Sequence, residues 1–257
     1  MDFQGNLVAF KTILGKEIRR FMRIWVQTLV PPAITIMLYF VIFGNLIGSR
    51  IGEMGGYSYM QFVVPGLIMM GVITNSYSNV VSSFFSAKFH HSVEELLVSP
   101  VSNSVILGGY VLGGVVRGLL VGLIVTVLSL FFAEVAIYNI YITVSIVFLT
   151  SLLFSLMGFV NAVYANSFDD ISIIPTFVLT PLIYLGGVFY SIDLLPDFWS
   201  GLSQLNPILY MVNAFRYGIL GHSDIDVTYA FAIVGFFTVT LWLLCLHLLS
   251  TGKRLRQ

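Results

Sequence analysis

Long apolar stretches alternate with short polar breaks along this chain. They run over residues 24–47, 59–85, 106–132, 137–165, 171–190 and 229–249. A hydrocarbon layer roughly 30 Å thick takes about 20 apolar residues in helical form, so each of the six predicts a membrane-spanning helix. Ahead of the first, Phe3, Leu7, Phe10, Ile13, Leu14, Ile18, Phe21 and Met22 recur at helical spacing, with Lys11, Lys16, Arg19 and Arg20 among them. That pattern predicts an amphipathic helix over residues 1–23, lying along the inner leaflet with its cations near anionic headgroups, in preference to a plain basic flank. The predicted fold is an all-α integral membrane domain covering residues 1–257, with no soluble domain attached.

Charge sets the orientation. Lys11, Lys16, Arg19, Arg20 and Arg23 precede the first span, Lys253, Arg254 and Arg256 follow the last, and Lys88 falls on the same side. Only Arg50 and Arg216 face the other way, so the bias of Lys and Arg toward cytoplasmic loops puts both termini in the cytoplasm. Hydrophobic residues make up 58% of the chain and charged residues 9%, which agrees with a membrane protein rather than a soluble one. The formal net charge is zero, which gives no footing for nucleic acid. The single cysteine, Cys245, lies inside the last span and is expected to be a buried, inert thiol.

The chemistry that powers transport is missing. No phosphate-binding loop is present, since Gly15-Lys16 is followed by Glu17 and lacks the earlier glycine. His90 and His91 are neighbours, but no further ligand stands at metal spacing, and no constellation of catalytic groups emerges. The chain is expected to be no enzyme and to hold no metal. The spans are nearly free of charge, which weighs against proton coupling but leaves a passive carrier or channel open. Arg117 is the exception, expected to anchor the third span by reaching toward the cytoplasmic interface.

After the second span, Phe89, Val93, Leu96 and Leu97 fall on one stripe of a helix over residues 88–99, with Glu94 and Glu95 on other faces and Pro100 ending it. The residues alone leave two readings, a docking surface or a connector. A further pattern bears on the choice. Phe62-Val63-Val64-Pro65-Gly66-Leu67-Ile68, Glu94-Glu95-Leu96-Leu97-Val98-Ser99-Pro100-Val101-Ser102, Pro181-Leu182-Ile183-Tyr184-Leu185-Gly186-Gly187-Val188-Phe189, and Leu205-Asn206-Pro207-Ile208 with Phe215-Arg216-Tyr217-Gly218 occur in this order over nearly the whole chain. In these blocks the sequence resembles the membrane subunits of type 2 ABC exporters, which include drug-resistance and nodulation-factor export permeases.

The resemblance implies that two such chains pair in a bacterial inner membrane and that each docks a separate ATP-binding subunit, so that ATP and magnesium sit on the partner. The helix over 88–99 would match the coupling helix of that family, with Phe89, Val93, Glu94, Glu95, Leu96 and Leu97 facing the ATPase. Residues 191–221 would match a pair of half-helices that dip into the membrane from outside. Their composition points the same way: Leu194, Leu195, Phe198, Trp199, Leu202 and Leu205 are too apolar for a solvated loop, and Pro207 breaks the run. An interfacial hairpin with an aromatic belt is the other reading; the re-entrant form is favoured, with Leu194, Leu195, Phe198, Trp199 and Leu202 as an outer gate. Arg216 is expected to pair with Asp193, Asp197 or Asp224.

Three features bear on packing and the path. Gly114, Gly118 and Gly122, and the pair Gly109 and Gly113, mark a helix-packing seam, within one subunit or between two. Pro175 and Pro181 should kink the fifth span. Asn75, Tyr77, Asn79 and Asn161 are candidate path-lining residues, though hydrogen bonds between helices account for them equally well.

Overall fold

The computed structural model describes residues 3–252 together with Arg254 and Leu255. Met1, at the start of the expected interfacial helix, and Lys253 and Arg256, in the basic C-terminus, lie outside the described residues. Helix α1 (Phe3–Arg23) bears out the expected N-terminal helix, though its placement against a membrane is a separate matter. A break at Ile24 separates it from α2 (Trp25–Thr28) and α3 (Val30–Tyr39). The bend is held by Thr28, whose Oγ1 donates to the carbonyls of Phe21 at 3.0 Å and Ile24 at 3.1 Å. Pro31 and Pro32 then open α3, where a missing backbone donor costs least.

A π-helical stretch, Phe40–Ile47, and a short α4 (Gly48–Ile51) continue α3. β1 (Glu53–Met54) pairs antiparallel with β2 (Tyr57–Ser58). The chain re-enters the bundle through a capping box, in which Ser58 accepts from the Gln61 amide and the Gln61 side chain accepts from the Ser58 amide. There follow α5 (Tyr59–Phe89), α6 (Ser92–Val98), α7 (Asn103–Ser129) and α8 (Ile140–Tyr164). Beyond them lie α9 (Asp170–Ile174), a π-helical Pro175–Leu179, α10 (Thr180–Tyr184), a 3-10 turn at Ile192–Leu194, α11 (Asp197–Gln204), α12 (Pro207–Leu220) and α13 (Val227–Thr251).

Among the described residues, five helices are long and apolar enough to cross a membrane: Trp25–Gly44, Tyr59–Phe89, Asn103–Ser129, Ile140–Tyr164 and Val227–Thr251. The predicted fifth span, 171–190, needs correcting. Its helix is Asp170–Tyr184, which at 1.5 Å per residue runs only about 22 Å, short of a hydrocarbon layer of roughly 30 Å. The two prolines account for its shape. Each lacks a donor and crowds the preceding turn, and the helix widens into a π turn between them, with Thr180 Oγ1 donating to the Pro175 carbonyl at 2.9 Å. Gly187, with φ of +69°, then turns the chain out of the helix.

Helix α5 is the axis of the bundle. Phe62, Leu67, Val72, Tyr77 and Phe84 are all fully buried along it, with α7 and α8 on its flanks and α12 and α13 packed beyond α8. Small residues allow the close approach. A Cβ on Gly118 would overlap the Ser76 hydroxyl, one on Gly114 would stand 2.5 Å from Ser155 Oγ, and one on Gly122 would stand 2.7 Å from Val72. The glycine seam therefore lies within one subunit. Gly109 and Gly113 serve a second contact, where α1 crosses α7 with Ile13 and Glu17 resting on them.

The loops sort into two ends. At one, the Asn6 side chain accepts from the Ser102 amide, Lys88 Nζ donates to the carbonyls of Val163 and Ala165 at 2.7 and 2.8 Å, and Arg254 covers the Tyr164 ring. Helix α1, α6, the 165–170 loop and the C-terminal residues thus share an end. At the other, Asn139 donates to the Gly218 carbonyl, Tyr57 to the Leu220 carbonyl and Gln61 to the Glu134 carbonyl. The loops that charge grouped on one side thus stand together at one end of the bundle.

Candidate functional site

The loop helix is shorter than expected. Lys88 and Phe89 end α5, and His91 takes a left-handed conformation, φ 59°, that turns the chain into the seven-residue α6. Lys88 is buried and caps the end of α8, where a cation meets carbonyls lacking helical partners. Of the residues expected to dock, Val93 is the one the structure turns inward: at 1% exposed it packs into the core of its own chain, so it offers nothing to a partner. Leu96 and Leu97 are half-buried against that core. Glu95 and Phe89 are exposed, and Val98, which the stripe had left out, is 85% exposed. Glu94 lies 3.1 Å from His91 Nδ1. The outward surface of α6 is therefore Glu95 and Val98, with Phe89 beside them at the end of α5.

A buried ionic junction ties α1 to the bundle. Glu17 is fully buried, and Arg20 stands 3.4 Å from its carboxylate. Arg20 Nη2 also donates to the Asn79 carbonyl at 3.0 Å and to Asn79 Oδ1 at 2.8 Å, so α1 is joined to α5 by charge-assisted bonds. One turn up α5, Asn75 Oδ1 accepts from Arg117 Nη2 at 3.2 Å, and the Thr28 carbonyl accepts from the same nitrogen at 3.3 Å. Arg117 anchors α7 to protein, binding the bend between α2 and α3 and Asn75 of α5.

The candidate lining residues resolve into helix-to-helix bonds. Asn161 Nδ2 donates to the Tyr77 hydroxyl at 2.7 Å and to the Ile171 carbonyl at 3.2 Å, joining α8 to α5 and α9. Asn79 is taken by Arg20. Asn75 borders a cleft together with Arg117. The path-lining role is thus withdrawn for Tyr77, Asn79 and Asn161.

At the opposite end, Arg216 is completely buried, yet it reaches no carboxylate. Its Nη2 donates to the Gly187 carbonyl at 2.6 Å, Nε to the Phe62 carbonyl at 3.3 Å and Nη1 to Asn213 Oδ1 at 3.4 Å, with the guanidinium 3.8 Å from the centre of the Phe62 ring. The expected aspartate pairing is corrected accordingly: Asp224 accepts from Ser191 Oγ at 2.9 Å and from the Ile192 amide, while Asp193 and Asp197 are exposed. Asn206 Nδ2 donates to the Leu182 carbonyl at 2.6 Å. Three blocks far apart in sequence, around Phe62, Gly187 and Arg216, therefore meet at one point. Helix α11 shows an apolar face with Phe198 at 74% exposed and Trp199 and Leu202 also open; ahead of it, Leu194 in the 3-10 turn is exposed and Leu195 is half-buried.

The role of Glu17 was missed in the sequence although a signal was there: it interrupts the apolar stripe between Ile13 and Phe21. A lone acid on an apolar helix face needs a buried partner.

Residues 8–220 match the ABC-2 type transporter family. Over 251 residues, 97% of this chain and 98% of the relative, the sequence is 61% identical to the inner membrane transport permease YadH of Escherichia coli K12. It is 23% identical over 193 residues to nodulation protein J of Neorhizobium galegae, covering 75% of this chain and 74% of that one.

Proposed function

The chain belongs to the ABC-2 type transporter family, and on that footing we propose that it is the transmembrane subunit of an ATP-driven exporter in the bacterial inner membrane. Two copies form the substrate path, and each engages one ATP-binding subunit, which carries ATP, magnesium and the hydrolysis chemistry. The observation that carries the reading is α6, a short helix that its own core holds from beneath through Val93 while it presents Glu95 and Val98 outward. It stands at the same end of the bundle as α1. A rigidly seated surface of this kind can pass a push from a docked ATPase into α5, which ends at Phe89, and through the Arg20–Asn79 bonds into α1.

In this reading Asp170–Tyr184, too short to cross as a helix alone, is carried the rest of the way by the apolar residues up to Tyr190, which gives six crossings and puts both termini in the cytoplasm. Helices α11 and α12 then form a hairpin dipping from outside, tied down by Arg216 and Asn206, with Leu194, Leu195, Phe198, Trp199 and Leu202 closing the outer mouth.

The test is a pull-down of the tagged full-length chain from membranes in mild detergent. An ATPase subunit recovered in equal amount, and lost on Glu95→Ala with Val98→Ser, supports the assignment. Val93→Ala serves as a control, since it should weaken the fold by about 1–3 kcal/mol without removing outward contacts. If no ATPase is recovered even after cross-linking, an ATP-independent carrier or channel becomes the better account.

A further inference from the structure

The ionic junction holds two cations and one anion. Arg20 and Arg117 are gripped by Asn79 and Asn75, which lie one turn apart on α5, and the two guanidiniums are close enough to repel. Glu17 stands against Arg20 alone. Among the described residues, no carboxylate lies within ion-pair distance of Arg117, and its Nε, buried from solvent, has no hydrogen-bond partner. A largely buried cation without a counter-charge is costly, and within a membrane-spanning helix such residues mark a site of function.

Arg117 also borders a cleft of about 370 Å³. The cleft lies between the α2–α3 bend, α5 and α7. Gln27, Thr28, Thr35, Thr74 and Ser78 give its wall hydroxyls and an amide, and Ile36 and Met70 give it an apolar side. Gln27, Thr35 and Thr74 are exposed, so the cleft opens on the surface of the bundle. A second cleft, along α1, is lined by Lys16, Arg19, Arg20 and Arg23, and Arg20 links the two clusters of positive charge.

We propose that the cleft between α2–α3, α5 and α7 binds the anionic headgroup of an amphiphile, a phosphate or carboxylate, with Arg117 as its fixed cation. The anion supplies the charge the junction lacks beside the Arg117 guanidinium, the surrounding hydroxyls complete its hydrogen bonds, and its chain lies along the apolar wall out toward the lipid-facing surface. Such chemistry fits either a resident anionic phospholipid or an acidic amphiphile on its way through. The inference builds on the transport reading, but its assay needs no ATPase, so either can fail without the other.

The test uses the full-length chain in dodecyl maltoside, whose headgroup is uncharged. Native mass spectrometry of the protein as purified asks whether phosphatidylglycerol stays bound. A titration with dodecyl phosphate, followed by the melting temperature, asks whether an added anionic amphiphile binds. Retained phosphatidylglycerol that Arg117→Gln removes identifies a lipid site. A lipid-free chain that binds dodecyl phosphate identifies a site for a transported amphiphile. In either case Arg117→Gln should weaken binding roughly tenfold or more, as expected for losing a hydrogen-bonded charge, and Arg117→Lys should restore most of it. Thr35→Trp, which fills the exposed rim and leaves the buried bonds intact, should weaken binding equally, so the outcome stands even if Arg117→Gln does not fold. Absence of both ligands from the wild type, or equal binding by wild type and Thr35→Trp, overturns the proposal.

Discussion

Replacing Gly118 by alanine puts a methyl group where the Ser76 hydroxyl now lies and 2.8 Å from Ser151 Oγ. Ser76 cannot turn away freely. Its hydroxyl donates to the Val72 carbonyl at 2.7 Å and accepts at 2.7 Å from Ser151, whose single proton then leaves the Val115 carbonyl, 3.3 Å away, at most a weak second share. Separating α7 from α5 to make room costs about 1–3 kcal/mol, the usual range for an overfilled core. Disturbing two side-chain bonds inside a membrane protein adds about 0.6 kcal/mol each. Alanine's better helix propensity returns about 1 kcal/mol, leaving a net loss of about 1–3 kcal/mol. Gly235 on α13 is the internal control, because a Cβ there meets nothing within 4 Å and its alanine variant should be neutral or slightly stabilising. The assay is reversible unfolding in mixed SDS micelles, followed by tryptophan fluorescence. If Gly118→Ala and Gly235→Ala unfold at the same SDS fraction, α5 and α7 do not meet through this glycine, and the packing account of the bundle axis fails.

Three further outcomes are expected. Arg20→Ala leaves the Glu17 carboxylate buried and alone and should cost about 3–5 kcal/mol, whereas Glu17→Gln made together with Arg20→Met should recover most of it; equal expression and melting of all three proteins would count against the junction. Asp226 caps α13 by accepting from the Thr228 amide at 2.7 Å, chiefly for which its carboxyl is held below the usual value of about 4. A depressed folded value means the cap is fully formed above the ordinary pKa and is lost as pH falls through the lower one. Amide exchange at Thr228 and Tyr229, corrected for its intrinsic pH dependence, should therefore lose protection in acid in the wild type but not in Asp226→Asn, which caps without titrating. Finally, Asp197→Cys in a Cys245→Ala background should react with an impermeant maleimide added to intact spheroplasts; labelling only after lysis would put α11 on the wrong side.

Much of the fold could be read from the sequence because the membrane imposes simple rules. Five of the six predicted spans match long apolar helices to within a few residues at each end, and the stripe from Phe3 to Met22 emerges as α1, since length and apolar periodicity are all these elements need. The fifth misled because hydropathy continues through Leu185 to Tyr190 while the backbone turns out at Gly187; apolar content does not register a broken helix. Contacts were harder. The asparagines of α5 and α8 looked like lining because a polar group in a span has two uses, and only three-dimensional placement shows that Asn79 meets Arg20 and Asn161 meets Tyr77. Val93 shared the stripe of Leu96 and Leu97, but a short helix lying on a bundle buries its apolar stripe against its own chain first. Arg216 was matched to aspartates because side chains are what a sequence displays, and its acceptors are mostly not side chains.

That last point bears on genetics. A lost ion pair can be repaired by altering the other partner, and suppressor screens exploit this to find contacts. Arg216 rests on the main-chain oxygens of Gly187 and Phe62. No codon specifies a carbonyl. A strain damaged at Arg216 should thus yield revertants chiefly at the same position, with Asn213 and Phe62 the side chains through which a paired substitution could register.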